Sequence, residues 1–516
     1  MTLACGHRTL ASLWRTRVAM SGERPFLIFD DLDGGIRRYT YGEFDQLIHR
    51  TAGLLLELGV GRGDRISLHL ANSVEFLALW FAAARIGAVI MPTNTAATVD
   101  ELEYLVGHSG CRIIFTQAPY ESDAEQVAAR CDGVERIVIC GAGSAGHATF
   151  DGLLAEASAP ASLPDVEPTD DAAILYTSGT TARPKGVQVT HANYIYAGET
   201  VAKAIRLAPD DRHLTVLPLF HGNAQYYSTM SALVSGASMV LCGRFSASRY
   251  FATAARHQCT VASLFAAPIR MLLAQPRDEA ARDNHLRVVI FAQSITPEQE
   301  RDWEDRFGAP LLQLWGMTET MGTPLMNPVD YERRNQSIGL PAMGYEVGLV
   351  DESGEPIEGA DRTGEIVVRG LPGWSLMKGY YRNPEATAET IRGEWLRTGD
   401  NARRDADGYF HFVDRAKDMI KRSGENVAAS EVESVIMQHP AVFDCAVIGV
   451  PDEIRDEKIK AVVVLKEGEQ ADAESLQAWC AERLARFRVP EIYEFRDSLP
   501  RTSVGKIQKH ILRRES

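Results

Sequence analysis

Along the first third of the chain, apolar positions switch repeatedly between two spacings. RISLHLA (65–71), AVIMPTN (88–94), CRIIFTQ (111–117) and ERIVICG (135–141) are apolar runs of strand length. Between them, SVEFLALWFAAARIG (73–87) and TVDELEYLVGHSG (98–110) are longer, each opening on a capping hydroxyl and closing on glycine, which predicts helices. Short strands alternating with helices of that length predict parallel sheets covered on both faces, an α/β architecture. Residues 142–171 are rich in Ala, Ser and Pro and are expected to form a surface excursion.

Near residue 400 the pattern changes. GEIVVRG (364–370) and GYFHFVDR (408–415) alternate like antiparallel strands. A polar, basic stretch follows, AKDMIKRSGENVAAS (416–430), and then a compact α+β pattern: helix 430–438, strands 443–450 and 460–466, helix 473–486. The shift predicts a large domain over 1–413 and a small one over 414–516, with a hinge at about 415–418. Two domains joined by a short charged hinge usually place a ligand site between them.

Composition narrows the class. A chain of 516 residues is too long for one simple core, and 45% hydrophobic with 24% charged residues is that of a soluble globular protein. The 54 basic and 69 acidic residues leave a net charge of −15, which argues against a nucleic-acid partner but not against a local basic patch for a small phosphorylated ligand. Eight scattered cysteines form no CxxC pair, so a zinc site or redox dithiol is not expected, and a reducing cytoplasmic setting is. The best apolar run, LALWFAAARIGAVIM (77–91), contains Arg85 and is too short to span a membrane. Residues 1–22 lack acids and carry Arg8, Arg15 and Arg17; an ordinary amphipathic first helix is expected rather than a transit peptide.

The densest chemistry lies at 176–187, YTSGTTARPKGV. A strand leads into Thr177, Ser178, Gly179, Thr180 and Thr181, whose backbone N–H groups and hydroxyls can cradle an anion. Lys185 adds a point charge. This is no Walker A loop, because Pro184 precedes the lysine and Gly186 follows it.

That stretch resembles the phosphate-loop signature of the adenylate-forming superfamily: acyl-CoA synthetases, luciferases and peptide-synthetase adenylation domains. PLFHGNA (218–224), WGMTET (315–320), RTGD (397–400), DRAKDMIKRSGENV (414–427) and LPRTSVGK (499–506) follow in the family's order. The overall look is closest to acyl-CoA synthetases. The resemblance implies a large N-terminal acyl- and nucleotide-binding domain of parallel-rich sheets with a small β-barrel-like part, and a small mobile C-terminal lid. It implies ATP/AMP, Mg2+ and coenzyme A, and a small-molecule carboxylic acid. A homodimer is the family-level expectation. It implies a two-step reaction as well: a carboxylate would attack the α-phosphate of ATP, the lid would then rotate, and the CoA thiol would displace AMP.

By motif position the resemblance gives Glu319 and Thr177 to magnesium and Thr318 to the α-phosphate region. Trp315 would cover adenine, Asp400 would accept from the ribose hydroxyls, and Arg415 would hold ribose or phosphate. Lys417 is the pivot. Lys506 would reach the carboxylate and α-phosphate during adenylation, and Gly424 would line the substrate during thioester formation. His221 is at the gate between acyl pocket and CoA channel. Asn223, Ala224, Tyr226, Phe291, Gly316, Met317 and Met321 are acyl-pocket candidates by neighbourhood, and small residues beside aromatics favour an apolar acid. Arg486, Phe487 and Arg488 could grip CoA, or form a plain solvated helix end.

Two positions depart from the pattern. Ala182 stands where the loop usually has glycine, and in FAQSITP (291–297) Gln293 takes a small adenine-facing position. Alanine at positive φ costs roughly 1 kcal/mol, and its methyl could crowd pyrophosphate; Gln293 could narrow the adenine slot or bond the adenine amine. Five readings stay open: a complete acyl-CoA ligase, a thioester-forming enzyme fed adenylate by a partner enzyme, a carrier-protein-loading enzyme, a luciferase-like oxidising enzyme, and an inactive binding protein.

Overall fold

The computed structural model describes residues 5–142, 146–177, 183–415, 418–422, 425–452, 456–501 and 507–516. Among these, the predicted strands of the first third assemble into one sheet. Ile113–Thr116, Arg65–His69, Val89–Pro92 and Asp171–Thr177 lie side by side and parallel; Lys185–Thr190 then runs antiparallel to Asp171–Thr177, and Gly379–Tyr380 antiparallel to Lys185–Thr190. A second sheet aligns Pro25–Asp30, Ser238–Cys242, Arg212–Thr215, Val261–Phe265, Val288–Ala292 and Leu311–Trp315 in parallel. The helix Val74–Ile86 starts at the Ser73 cap, stops at left-handed Gly87, and buries every residue. Such all-round burial explains why its sequence is apolar almost throughout.

A third, antiparallel sheet of Glu346–Val350, Thr363–Arg369, Trp395–Arg404 and Phe410–Arg415 is the small barrel-like part. The C-terminal segment has its own antiparallel sheet, in which the long strands Val442–Asp452 and Asp456–Leu465 pair. Alternate residues pack on opposite faces: Cys445 and Val447 join Val432, Ile436 and Leu476, while Ala446 and Ile448 join Leu499 and Leu512.

Two expectations change. Residues 142–171 are more than a surface excursion: Thr149 caps a helix, Phe150–Glu156, whose Phe150 and Leu154 are buried in the main core. Two apolar residues at i, i+4 suffice for docking, and an Ala/Ser/Pro-rich context hides them. The helix expected over 473–486 ends at Ala481, and a separate turn, Arg486–Arg488, precedes Pro490. The first helix is Leu10–Ser21, capped by Thr9, with Leu10, Leu13 and Trp14 buried. All eight cysteines are free thiols, and no helix among the described residues is long and apolar enough to cross a membrane.

Candidate active site

The phosphate-loop segment springs from a hairpin in which Thr177 pairs with Lys185 and Tyr176 with Gly186. A β-carbon on Gly186 would come within 2.7 Å of Ile174 Cγ2 and 3.2–3.3 Å of the Tyr176 ring, so glycine lets both side chains lie across the hairpin. Ser178, Gly179, Thr180, Thr181 and Ala182 lie outside the described residues, as do Lys417, Gly424, Lys506 and the side chain of Arg415.

Lys185 Nζ sits 4.8 Å over the ring of Tyr380. Tyr380 is there because Gly379–Tyr380 pairs with the second hairpin strand, Tyr380 opposite Val187. Its hydroxyl donates to Glu319 Oε1 at 3.0 Å. Burial, reinforced by the Glu319 carboxylate, pushes the Tyr380 phenol far above its usual range, so it remains a donor. One aromatic ring thus joins the loop's cation to the buried glutamate. Sequence reasoning missed Tyr380: it lies 61 residues from Glu319, outside the family motifs quoted, and only sheet pairing brings it in.

Glu319 occupies a single tight turn, Thr318–Thr320, held by the Thr320 hydroxyl, which accepts from Met317 N at 3.1 Å. The Glu319 carbonyl accepts from Met377 N. Tyr226 reaches the same turn, its hydroxyl 3.5 Å from the Thr318 carbonyl. Gly316 is required sterically, since a β-carbon would lie 2.3 Å from the Gly322 carbonyl and 2.9 Å from the Tyr227 hydroxyl. Met321 is fully buried at φ +51°, and its carbonyl accepts from Tyr345.

Trp315 ends its strand, and its indole N–H donates to Asp400 Oδ2 at 2.9 Å; both residues are buried. Asp400 follows left-handed Gly399, and its N–H is held by the Thr398 hydroxyl. The strand pairing sets Arg415 opposite Asp400. The expected adenine and ribose residues are therefore coupled directly to each other.

His221, half-buried, closes a turn onto the Pro218 carbonyl and leads into Asn223–Met230, wound as a π-helix, a form frequent at functional sites. Asn223 Oδ1 accepts from Ser263 at 2.8 Å, while its buried Nδ2 has no partner among the described residues. Phe291 is fully buried in Val288–Ala292. Gln293 follows at φ +74°, the backbone that glycine would adopt freely. Among the CoA candidates, Arg488 is ion-paired with Glu431, and the Phe487 carbonyl accepts from Arg422.

The AMP-binding enzyme family model matches residues 14–381, and the AMP-binding enzyme C-terminal domain matches 431–506. The chain is 38% identical over 516 residues to a crotonobetaine/carnitine–CoA ligase of Salmonella typhimurium, covering 98% of this chain and 99% of that one. It superposes with a TM-score of 0.91 on an anthranilate CoA ligase in complex with anthranoyl-AMP, at 27% identity, covering 99% of this chain and 97% of that one. ATP-bound MatB from Rhodopseudomonas palustris gives 0.88 at 30% identity, and its apo form 0.76, each with 98% of both chains covered. A nucleotide-binding α/β enzyme with a separate C-terminal unit is the class that fold and site define. The chain belongs to the AMP-binding enzyme family, in the adenylate-forming superfamily close to the acyl-CoA synthetases, and is by class an AMP-forming acid–CoA ligase.

Proposed function

We propose that the protein joins a small carboxylic acid to coenzyme A in two half-reactions at one site, by domain alternation. In the first, a carboxylate oxygen attacks the α-phosphorus of ATP and pyrophosphate leaves. In the second, the CoA sulfur attacks the acyl carbon and AMP leaves. The observation that carries this reading is the convergence of Lys185 and Glu319 on Tyr380, beside Thr318. In-line attack at phosphorus needs positioning and charge neutralisation more than covalent help from the protein. Lys185 supplies a positive charge, and Tyr380 fixes both it and the glutamate. Asp400, oriented by Trp315, holds the ribose. Lys506 completes the cationic set during adenylation. Buried Glu319 and the Thr177 hydroxyl offer the hard oxygen ligands that Mg2+ prefers, and would hold it; the ion, when bound, neutralises phosphate charge.

We place the mobile lid at 414–516, pivoting near Lys417. Its first helix, Ala429–Met437, is tied across the proposed pivot through Ser430, whose N–H donates to Asp414 Oδ2 at 3.1 Å and whose hydroxyl donates to the Val413 carbonyl at the end of the large domain. The better superposition on the ATP-bound than on the apo form of MatB supports an arrangement of the adenylation kind here. Rotation would break the Ser430 contacts and bring Gly424 to the substrate.

For the acid, buried Tyr226, Phe291 and Met321 favour an apolar body, and Asn223 Nδ2, without a partner among the described residues, favours an acid that also carries a hydrogen-bond acceptor. Free buried thiols support a reducing, cytoplasmic setting. A second reading, thioester formation from adenylate supplied by a partner enzyme, is favoured by Gln293 standing at positive φ on the adenine side. One experiment separates them: a panel of carboxylic acids assayed for CoA thioester, once with ATP and once as preformed adenylates. Thioester from adenylates alone selects the second reading; thioester from neither removes both.

A further inference from the structure

The two strands that flank the phosphate-loop segment are gripped from outside by one helix, Val99–Ser109. The helix is fixed at both ends. Thr98 caps its start in a reciprocal pair with Glu101, and left-handed Gly110 ends it. Tyr104 and His108, at i and i+4, therefore share one face. The Tyr104 hydroxyl donates to the Pro184 carbonyl at 3.1 Å, immediately before Lys185. Tyr104 also carries Arg183 over its ring at 5.0 Å. His108 Nδ1 lies 2.6 Å from the hydroxyl of Tyr176, immediately before Thr177. The rings of Tyr104 and His108 stack at 5.4 Å, and Tyr176 meets each edge-on at 6.5 and 5.8 Å.

The His108 side is itself buttressed. Arg382 Nη1 donates to the His108 carbonyl at 3.1 Å, Tyr381 packs edge-on against the imidazole at 5.8 Å, and Tyr381 N donates to the Gly186 carbonyl at 2.7 Å. Burial and the nearby Arg382 cation hold the imidazole below its usual range, and burial holds the Tyr176 phenol above its own. Both partners therefore stay neutral near pH 7, and the bond between them persists.

We infer that Tyr104 and His108 are positioning residues for ATP: through Pro184 and Tyr176 they fix where both ends of the phosphate-binding hairpin stand, and so aim Thr177 and Lys185 at the β- and γ-phosphates. The inference rests on the proposed role of that hairpin. AMP lacks those phosphates, so its binding does not depend on the grip. A hydrogen bond to a hairpin that must stay in register is worth roughly threefold to tenfold in an equilibrium constant.

The test is equilibrium binding of α,β-methylene-ATP and of AMP to the full-length wild type, Tyr104→Phe, Tyr176→Phe and Lys185→Ala. Each phenylalanine variant removes one hydroxyl and keeps the ring, so folding should be preserved, and a thermal melt checks it. The expected result is a threefold to tenfold loss of α,β-methylene-ATP affinity in both phenylalanine variants, with AMP affinity unchanged. Equal losses for ATP analogue and AMP, or no loss with Lys185→Ala impaired, would overturn the grip and leave the hairpin's phosphate role standing. Unchanged analogue binding in Lys185→Ala would remove the hairpin's role and the inference with it.

Discussion

The indole N–H of Trp315 and the Oδ2 of Asp400 meet at 2.9 Å, although they lie 85 residues apart on different sheets. The bond presets the rotamer of a buried carboxylate before any nucleotide arrives, which lowers the cost of ordering it on binding.

Asp400→Ala is expected to weaken binding of an acyl-adenylate analogue by about 1.5–3 kcal/mol for each ribose hydrogen bond lost. Trp315→Phe should weaken it less, by roughly threefold to tenfold. Because the two residues act as a unit, the double variant should fall short of the sum. Calorimetric titration measures all three; full affinity in Asp400→Ala would take Asp400 out of the site.

Lys506 and Gly424 should act in different half-reactions. Lys506→Ala is expected to cripple thioester formation from acid and ATP while sparing CoA transfer from supplied adenylate. Replacing Gly424 with a bulky residue should do the reverse. Rapid-quench assays of the two half-reactions decide it, and equal damage to both by either variant would contradict domain alternation.

Ala182→Gly should speed adenylation and leave thioester formation from adenylate unchanged, because only ATP carries the pyrophosphate that the loop would hold. If the alanine misplaces one or two anion donors, the gain in ATP–pyrophosphate exchange is about 10²–10³-fold. Brisk exchange by the wild-type protein, unaltered by the glycine, would show the alanine to be neutral and would end the partner-enzyme reading.

Stability should fall on mild acidification. His69, His191 and His213 are fully buried, and burial lowers each imidazole to about 4. His191 Nδ1 accepts from Leu10 N at 3.3 Å, a bond that protonation would destroy. Between the ordinary histidine range and about 4, the unfolded chain binds protons that the folded chain refuses, so stability drops as pH falls through that window and is level above it. The loss is about 2 kcal/mol per histidine by pH 5. Melting temperatures from pH 7.5 to 5 should decline, and less steeply in His191→Gln; a flat profile would contradict the burial of neutral imidazoles.

The sequence by itself determined the alternating strands and helices of the first third, because strand and helix periodicity and glycine or hydroxyl caps are local properties. It also held the motif residues that the family match covers, and the two departures, of which Gln293 stands at the positive φ that a glycine position implies. What it could not supply was company. Tyr380 reaches Glu319 only because a two-residue strand joins the edge of the hairpin. Tyr104 and His108 face that hairpin only because sheet order lays their helix beside it. The helix Phe150–Glu156 exists because the main core has room for Phe150 and Leu154 in an otherwise polar stretch. These contacts join residues far apart in the chain, and their free energy depends on packing between elements, which no local spacing encodes.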